Sequence, residues 1–382
     1  VDLYFLLFWL SLCSLGYIYA GYPALVWVMS RLRPRAVRKA AWQKPLSVVI
    51  VGHNEAHSLP RKLDSLFRSS SAPWIVEVLV GSDGSTDDTA EVVARYPDER
   101  VRLLAYNFRR GKPAVLNEVV PRCRSEVVIL TDARQEVDPL AIERLTANFA
   151  DEHVGVVSGE LMFRPAAGGD TAVAEGIGSY WAYEKFIRKC ESRFRSVPGA
   201  TGALYALRRE LFRPIAVDTL LDDVVIPMQA VEAGYRCLLE SDATAWDTPS
   251  QSTRQETVRK RRTIAGCAQL ALKQPRWLLP WANPIWWEFV SHKLLRLASP
   301  LLLVTLLVAN IPLSARTPYA WGLFGQGLFY LAALVGWFCQ LTGHRLKSAG
   351  IPLMFLSLNL TTLAALWDAS RGRFQATWQR AQ

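Results

Sequence analysis

The chain has 382 residues, 51% of them hydrophobic and only 20% charged, with a formal net charge of +10. That balance excludes a disordered chain and an ordinary soluble domain along the whole length, because the apolar residues are concentrated at the two ends. The six cysteines form no CxxC pair, which fits a reducing compartment better than a disulfide framework and offers no zinc spacing.

From Leu3 to Ser30 there is no charged residue, enough to cross a bilayer core as a helix. Asp2 in place of a basic cluster and the length of the apolar run argue for a retained anchor rather than a signal peptide. Arg31, Arg33, Arg35, Arg38, Lys39 and Lys44 follow directly, so the positive-inside rule places the following domain in the cytoplasm of a multi-pass inner-membrane protein. The same basic clusters make anionic membrane lipid the expected partner of the positive charge, and no nucleic acid partner is expected.

From Pro45 short β-rich runs alternate with helical stretches. Strands are expected at Leu46–Val51, Ile75–Val80, Val101–Ala105 and Val127–Leu130, with helices at Leu59–Phe67, Pro113–Pro121 and Pro139–Phe149 and a loop over Gly81–Asp88. This alternation predicts a parallel, doubly wound sheet. From about Gly176 to Pro275 the pattern reads as mostly helical. Trp277, Trp281, Trp286 and Trp287, followed by His292, Lys293 and Arg296, suggest a helix lying in the membrane interface. Three further charge-free segments, Leu297–Ala315, Thr317–Gly343 and Ser348–Trp367, are each long enough to span. The expected organisation is an N-terminal span over 1–30, a cytoplasmic domain over 45–275, interfacial helices over 276–297, about three spans over 298–368 and a tail over 369–382. Three spans put the tail outside, whereas Arg371, Arg373 and Arg380 favour the inside. No appended regulatory module is expected beyond the last span.

The polar residues of interest sit just past strand ends, where open α/β sheets bind ligands. His53, Asn54 and Glu55 follow the first strand, Asp83 the second, and Asp132 the strand ending at Leu130. Asp83 lies in a Gly/Ser/Asp-rich loop that reads either as a ligand loop or as a capping turn. A carboxylate at the end of a buried strand needs a partner, so Asp132 is a candidate metal or ligand contact, or a structural hydrogen-bonding group. Mg²⁺ often takes only one or two protein carboxylates plus phosphate oxygens. Asp222 and Asp223 read as a helix N-cap pair, or as a general base whose pKa is raised by its neighbour. The run Arg259–Arg262 is either a lipid-facing surface or a pyrophosphate clamp.

Taken in this order, the motifs resemble the family 2 glycosyltransferases of GT-A fold, in the branch of the membrane-integrated polysaccharide synthases (hyaluronan, cellulose and poly-N-acetylglucosamine synthases). The resemblance implies an α/β, Rossmann-like GT-A catalytic domain with transmembrane helices. Val48–Glu55 looks like the opening nucleotide-binding strand, so His53, Asn54 and Glu55 are implied at the donor. Asp83 matches the uridine-contacting aspartate, and Lys112 in Arg110-Gly111-Lys112 the step that approaches the donor phosphates. Asp132 stands where the Asp-x-Asp metal motif belongs, implying Mg²⁺ or Mn²⁺, but Arg134 replaces the second carboxylate. Thr201–Tyr205 resembles the acceptor-side segment, implicating Gly202 and Ala203. Leu221-Asp222-Asp223 aligns with the Thr-Glu-Asp motif, giving Asp223 the base role beside Asp222. Arg262 matches the arginine of the processive synthases' Gln-x-x-Arg-Trp motif, whose glutamine and tryptophan are missing here. The implied function is inverting transfer from a nucleoside-diphosphate sugar, a UDP-sugar first, to a growing polysaccharide or glycan acceptor. Single transfer onto a lipid-linked acceptor is the alternative within the class. A catalytically silent, nucleotide-binding membrane scaffold is the alternative outside it.

Overall fold

The computed structural model describes residues 2–164, 172–248, 253–342 and 346–371; the side chains of 172–179, 253–259 and 347 are outside the description. The expectations placed on the Arg259 side chain, Gly343, Arg373 and Arg380 therefore fall outside the described residues.

Strand β1 (Leu46–Gly52) is buried along its whole length. Its side chains alternate between two cores, as strand geometry requires. Val49 and Val51 pack with Val115, Leu116 and Val119 of the helix Lys112–Val119. Leu46, Val48 and Ile50 pack with Leu59, Leu63 and Leu66 of the helix Leu59–Phe67. Both faces being covered, the strand reads as an apolar run from Val48 to Val51.

Strands β2 (Ile75–Asp83), β3 (Val101–Tyr106), β4 (Val127–Asp132), β5 (Glu136–Val137), β6 (Val154–Phe163), β7 (Tyr205–Arg208) and β8 (Arg236–Asp247) complete an eight-stranded sheet, ordered β3-β2-β1-β4-β7-β6-β8-β5. β1 runs parallel to β2 on one side and to β4 on the other, so the order reverses beside it. The register pairs Gly52 with Ser82 and Val51 with Asp132. His53, Asp83 and Asp132 therefore reach the same carboxyl-end rim, at a topological switch point.

The sheet departs from the expected all-parallel arrangement beyond β4. β7 is antiparallel to both β4 and β6, β8 is parallel to β6, and β5 is antiparallel to β8. The stretch expected to be mostly helical contains β7 and the twelve-residue β8 between the helices Ala172–Phe194, Asp222–Glu232 and Thr253–Lys273. β8 carries Glu240, Asp242 and Asp247 among its apolar residues, which masked the period-two pattern. The first residues of the expected Gly81–Asp88 loop continue β2 as far as Asp83.

Among the described residues, four helices are long and apolar enough to cross a membrane: Asp2–Leu32, Trp286–Leu313, Thr317–Leu341 and Gly350–Ser370. Their outer faces expose Leu3, Leu6, Trp321, Phe324 and Trp337, which suits lipid contact. The segment read as interfacial is divided. Trp277 is 1% exposed, packs edge-on against Phe289 and donates to Glu232 at 2.7 Å, so it belongs to the core. Trp281 is 80% exposed, and Trp286 onward already forms the second long helix.

Gly81 in β2 leaves room for the helix Lys112–Val119: a Cβ there would lie 2.5 Å from Val115 Cγ1. Gly81→Ala should lower the unfolding midpoint of purified protein, by the equivalent of about 1–3 kcal/mol for an overpacked core. Adding Val115→Ala, which removes the clashing methyl, should recover part of that loss in the same thermal scan.

Candidate active site

The donor-side turns are tied to one another before any ligand arrives. Asn54 sits at φ 56°, a left-handed conformation that asparagine tolerates better than most residues. Its side-chain oxygen accepts the Thr86 N–H at 2.8 Å, and its own N–H donates to Ser85 Oγ at 3.1 Å. Glu55 is buried beneath Gly52, and its N–H donates to Thr89 Oγ1 at 2.9 Å. The Asn54 side chain and the Asn54 and Glu55 backbone N–H groups thus join two loops. His53 Nδ1 lies 2.8 Å from the Asp83 carbonyl oxygen.

Asp83 is 4% exposed, and its two carboxylate oxygens accept the backbone N–H groups of Arg110 at 2.6 Å and Gly111 at 2.9 Å. The carboxylate therefore folds the 107–111 loop over the rim. Gly111 at φ 88° makes the turn that opens the helix, and Lys112 is its first residue.

Lys112 Nζ lies 2.9 Å from Asp132 Oδ1 and 3.1 Å from Asp222 Oδ2. Burial alone would lower this ammonium's pKa, but the Asp132 and Asp222 carboxylates outweigh it and hold the group protonated above the usual lysine range. Asp222 and Asp223 open the helix Asp222–Glu232, whose N-terminal dipole favours negative charge. Asp223 Oδ2 accepts the Gly202 N–H at 3.3 Å. A Cβ on Gly202 would sit 3.5 Å from Asp132 Oδ2, 3.6 Å from Asp223 Oδ2 and 3.6 Å from Lys112 Nζ, so this glycine keeps open the space the three groups share. Burial and the Asp222 carboxylate push the Asp223 carboxyl up to about 6, against the pull of Lys112 and Lys293. Ala203, expected beside Gly202 at the acceptor, is buried and anchors through its carbonyl, which accepts from Thr131 Oγ1 at 2.6 Å.

The basic run on the helix Thr253–Lys273 divides in two. Arg261 pairs with Asp368 on the last long helix. Arg262 keeps a buried Nε that has no hydrogen-bond partner among the described residues, as an anion-binding guanidinium would. One turn further, Gly266 packs against Leu221, the residue before the aspartate pair. Next to this helix lies a cavity of about 350 Å³, with Lys293 and Arg296 at a polar end and Phe355 and Leu358 of the last long helix on an apolar wall. Lys293 connects the cavity to Asp223 electrostatically. Sequence reasoning had placed it only in an interfacial helix. It also passed over Lys62, which stands on the buried stripe of the helix Leu59–Phe67 with Leu59, Leu63 and Leu66. A lysine at that period was the legible signal.

A divalent cation would find a minimal donor set. Asp132 is partly exposed, and its Oδ2 faces the open space at Gly202 while Oδ1 is taken by Lys112. Arg134 turns away to Asp247 at 2.7 Å. Among the described residues no group of three or more His, Cys, Asp or Glu side chains is arranged to hold a metal. One hard oxygen plus donor phosphates fits the way Mg²⁺ is commonly held, so the residues fit the ion with Asp132 as its protein ligand.

Known proteins resemble this chain in part of its sequence and in its fold. The family description Glycosyl transferase family 2 matches residues 47–215. Succinoglycan biosynthesis protein ExoO of Rhizobium meliloti is 28% identical over 134 residues, 33% of this chain and 37% of that protein. Undecaprenyl-phosphate 4-deoxy-4-formamido-L-arabinose transferase of Salmonella choleraesuis is 33% identical over 124 residues, 31% of this chain and 37% of that protein. The chain thus spans little more than a third of the length of these curated relatives. A mannosyltransferase of Pyrobaculum calidifontis, solved with GDP-Man and Mn²⁺, superposes with a TM-score of 0.73 over 96% of this chain and 99% of its own, at 21% identity. Residues 47–215, which carry the rim, Lys112, Asp132 and Gly202, match the glycosyl transferase family 2 description, and the fold around them is GT-A-like.

Proposed function

We propose that the chain is an inverting glycosyltransferase that moves a sugar from a nucleoside-diphosphate sugar to a glycan hydroxyl at the membrane. The observation that carries this reading is the convergence of Lys112, Asp132 and Asp223 around Gly202 on the carboxyl rim of the sheet. Asp223 takes the acceptor proton as the acceptor oxygen attacks the anomeric carbon. The bond from that carbon to the diphosphate breaks on the opposite face, and the diphosphate leaves with the electron pair. Lys112 donates one N–H to Asp132, lies within ion-pair distance of Asp222, and has donor capacity left for the departing phosphate. Arg262, with its unpartnered Nε, suits the same charge. A divalent ion held by Asp132, when bound, supplies Lewis-acid neutralisation of the diphosphate. UDP-sugars are the first donors to try from the sequence motifs, and GDP-mannose with Mn²⁺ from the ligands of the archaeal neighbour.

A second reading, transfer onto a lipid-linked acceptor, is favoured by the cavity, whose apolar wall on the last long helix suits an isoprenoid or acyl chain. The names of some relatives specify undecaprenyl-phosphate and dolichyl-phosphate. The two readings differ chemically. A hydroxyl must lose a proton as it attacks, whereas a lipid phosphate oxygen is already ionised and needs no base.

Asp223→Asn should lower kcat with a hydroxyl acceptor by about 10²–10⁴-fold. It should leave UDP or GDP binding by calorimetry unchanged. Much smaller losses with polyprenyl phosphate as acceptor would move the assignment to the second reading. No release of nucleoside diphosphate by the wild-type protein in lipid, across UDP- and GDP-sugars with Mg²⁺ or Mn²⁺ and both acceptor types, would overturn transfer and favour the silent scaffold.

Because Asp223 accepts a proton only when ionised, kcat/KM should fall as pH drops through about 6. The slope below that value should approach about tenfold per pH unit, and the limb should vanish in Asp223→Asn. Leu358→Trp, which fills the cavity wall, should raise KM for a lipid-linked acceptor by about tenfold at constant kcat, the mark of lost uniform binding. An unchanged KM would exclude the cavity as the acceptor's seat.

A further inference from the structure

The helix Leu59–Phe67 turns one stripe into the core, and Lys62 sits on that stripe with no exposed surface. An apolar side chain would fill the same space without desolvating an amine, so the polar atoms must be matched if the residue is to be tolerated. They are. Lys62 Nζ lies 2.5 Å from Thr131 Oγ1 and 2.8 Å from the Gln135 carbonyl oxygen. These two acceptors bracket the end of β4 and the turn after it, and Asp132 stands between them. The Thr131 hydroxyl gives its own proton to the Ala203 carbonyl at 2.6 Å, so toward Lys62 it can only accept. The far end of the turn is held as well, since the Gln135 side-chain amide donates to Asp247 at 3.0 Å beside Arg134.

One amine therefore touches both ends of the Asp132 turn and, through one hydroxyl, the segment in which the Gly202 N–H meets Asp223 at 3.3 Å. We propose that Lys62 is a positioning residue for the transfer: its fork onto Thr131 and Gln135 sets where Asp132 points, and the Thr131–Ala203 bond sets how far Asp132 stands from the Gly202–Asp223 side of the cleft. This rests on the glycosyltransferase reading above. Burial pushes the Lys62 amine down to about 7, against the pull of Asp132 and Glu136. Two acceptors need two N–H donors, which the amine supplies whether or not it carries the extra proton, so geometry is what the arrangement preserves.

The test uses the full-length protein in lipid. Lys62→Met keeps an unbranched side chain, one atom shorter, and removes the donors. For a residue that orients a ligand-bearing group from behind, the expected loss is about 10–100-fold in kcat. The Mn²⁺ concentration that gives half-maximal rate should rise, and UDP or GDP binding without metal should be unchanged. Thr131→Val should act in the same direction and Thr131→Ser should match wild type. The double variant Lys62→Met/Thr131→Val should lose no more than the worse single, since both break one chain of contacts. Thermal unfolding identifies the variants that fold; if Lys62→Met does not, the Thr131→Val and Thr131→Ser pair decides. A folded Lys62→Met, or failing that Thr131→Val, with wild-type kcat and Mn²⁺ dependence would overturn the proposal. Additive losses in the double variant would do the same. If the wild-type protein turns over no donor, the transferase reading falls, and the Mn²⁺ dependence of UDP or GDP binding still reads the Asp132 turn: a wild-type dependence in Lys62→Met then overturns the positioning role.

Discussion

Lys112 is the contact on which the cleft depends. Asp132, Asp222 and Asp223 come from a strand end and a helix start that are far apart in sequence, and all three influence the same ammonium. Buried carboxylates at such separations repel one another and resist desolvation unless a cation stands between them. The rest of the rim can be traced from this requirement. Lys112 must begin a helix at the right height, so Gly111 turns at positive φ, and Asp83 fixes that turn by accepting two backbone N–H groups. Lys112 hydrogen-bonds Asp132 and ion-pairs with Asp222, while Asp223 is reached only through space and keeps a carboxyl raised to about 6. The division of labour between the adjacent aspartates follows from which of them the lysine touches.

Much of the first half of the domain was readable because its elements are simple. The helix Leu59–Phe67 and the start of β1 appear where the apolar periodicity puts them, since each buries a regular stripe or a whole strand. The far half of the sheet was not readable for a physical reason. β7 has only four residues, and β8 mixes carboxylates into its length, so neither presents the alternation that marks a half-buried strand. Direction is harder still, because nothing in the β4 run reveals that its outer neighbour is antiparallel.

The candidate site shows the same split. A motif states which residue stands at a strand end, but its partner is chosen by folding. Asn54 and Asp83 stand past the strand ends where the motifs put them, and their side chains bond neighbouring loops. Arg262 stood in a run of four basic residues that looked uniform, and packing separates it from Arg261, which pairs with Asp368. Lys293 was legible as a basic residue near a span, but its effect on Asp223 depends on how the helix Trp286–Leu313 seats against the domain.

That seating is not a light tether. Glu288, with no exposed surface, receives Arg195 through two bonds of 2.8 Å, and buried Tyr22 of the first long helix donates to Glu191 at 2.6 Å. His292 stands between Glu191 and Glu184, at 2.8 and 2.9 Å. Cutting the long helices away would take Glu288 from Arg195, and Tyr22 and His292 from Glu191 and Glu184, a change that typically costs about 3–5 kcal/mol for each broken buried pair. The catalytic half is therefore not a detachable head that can be excised for work in plain buffer or grafted onto a foreign anchor. The sheet domain and the long apolar helices share one interior, and they would have to be exchanged as a unit.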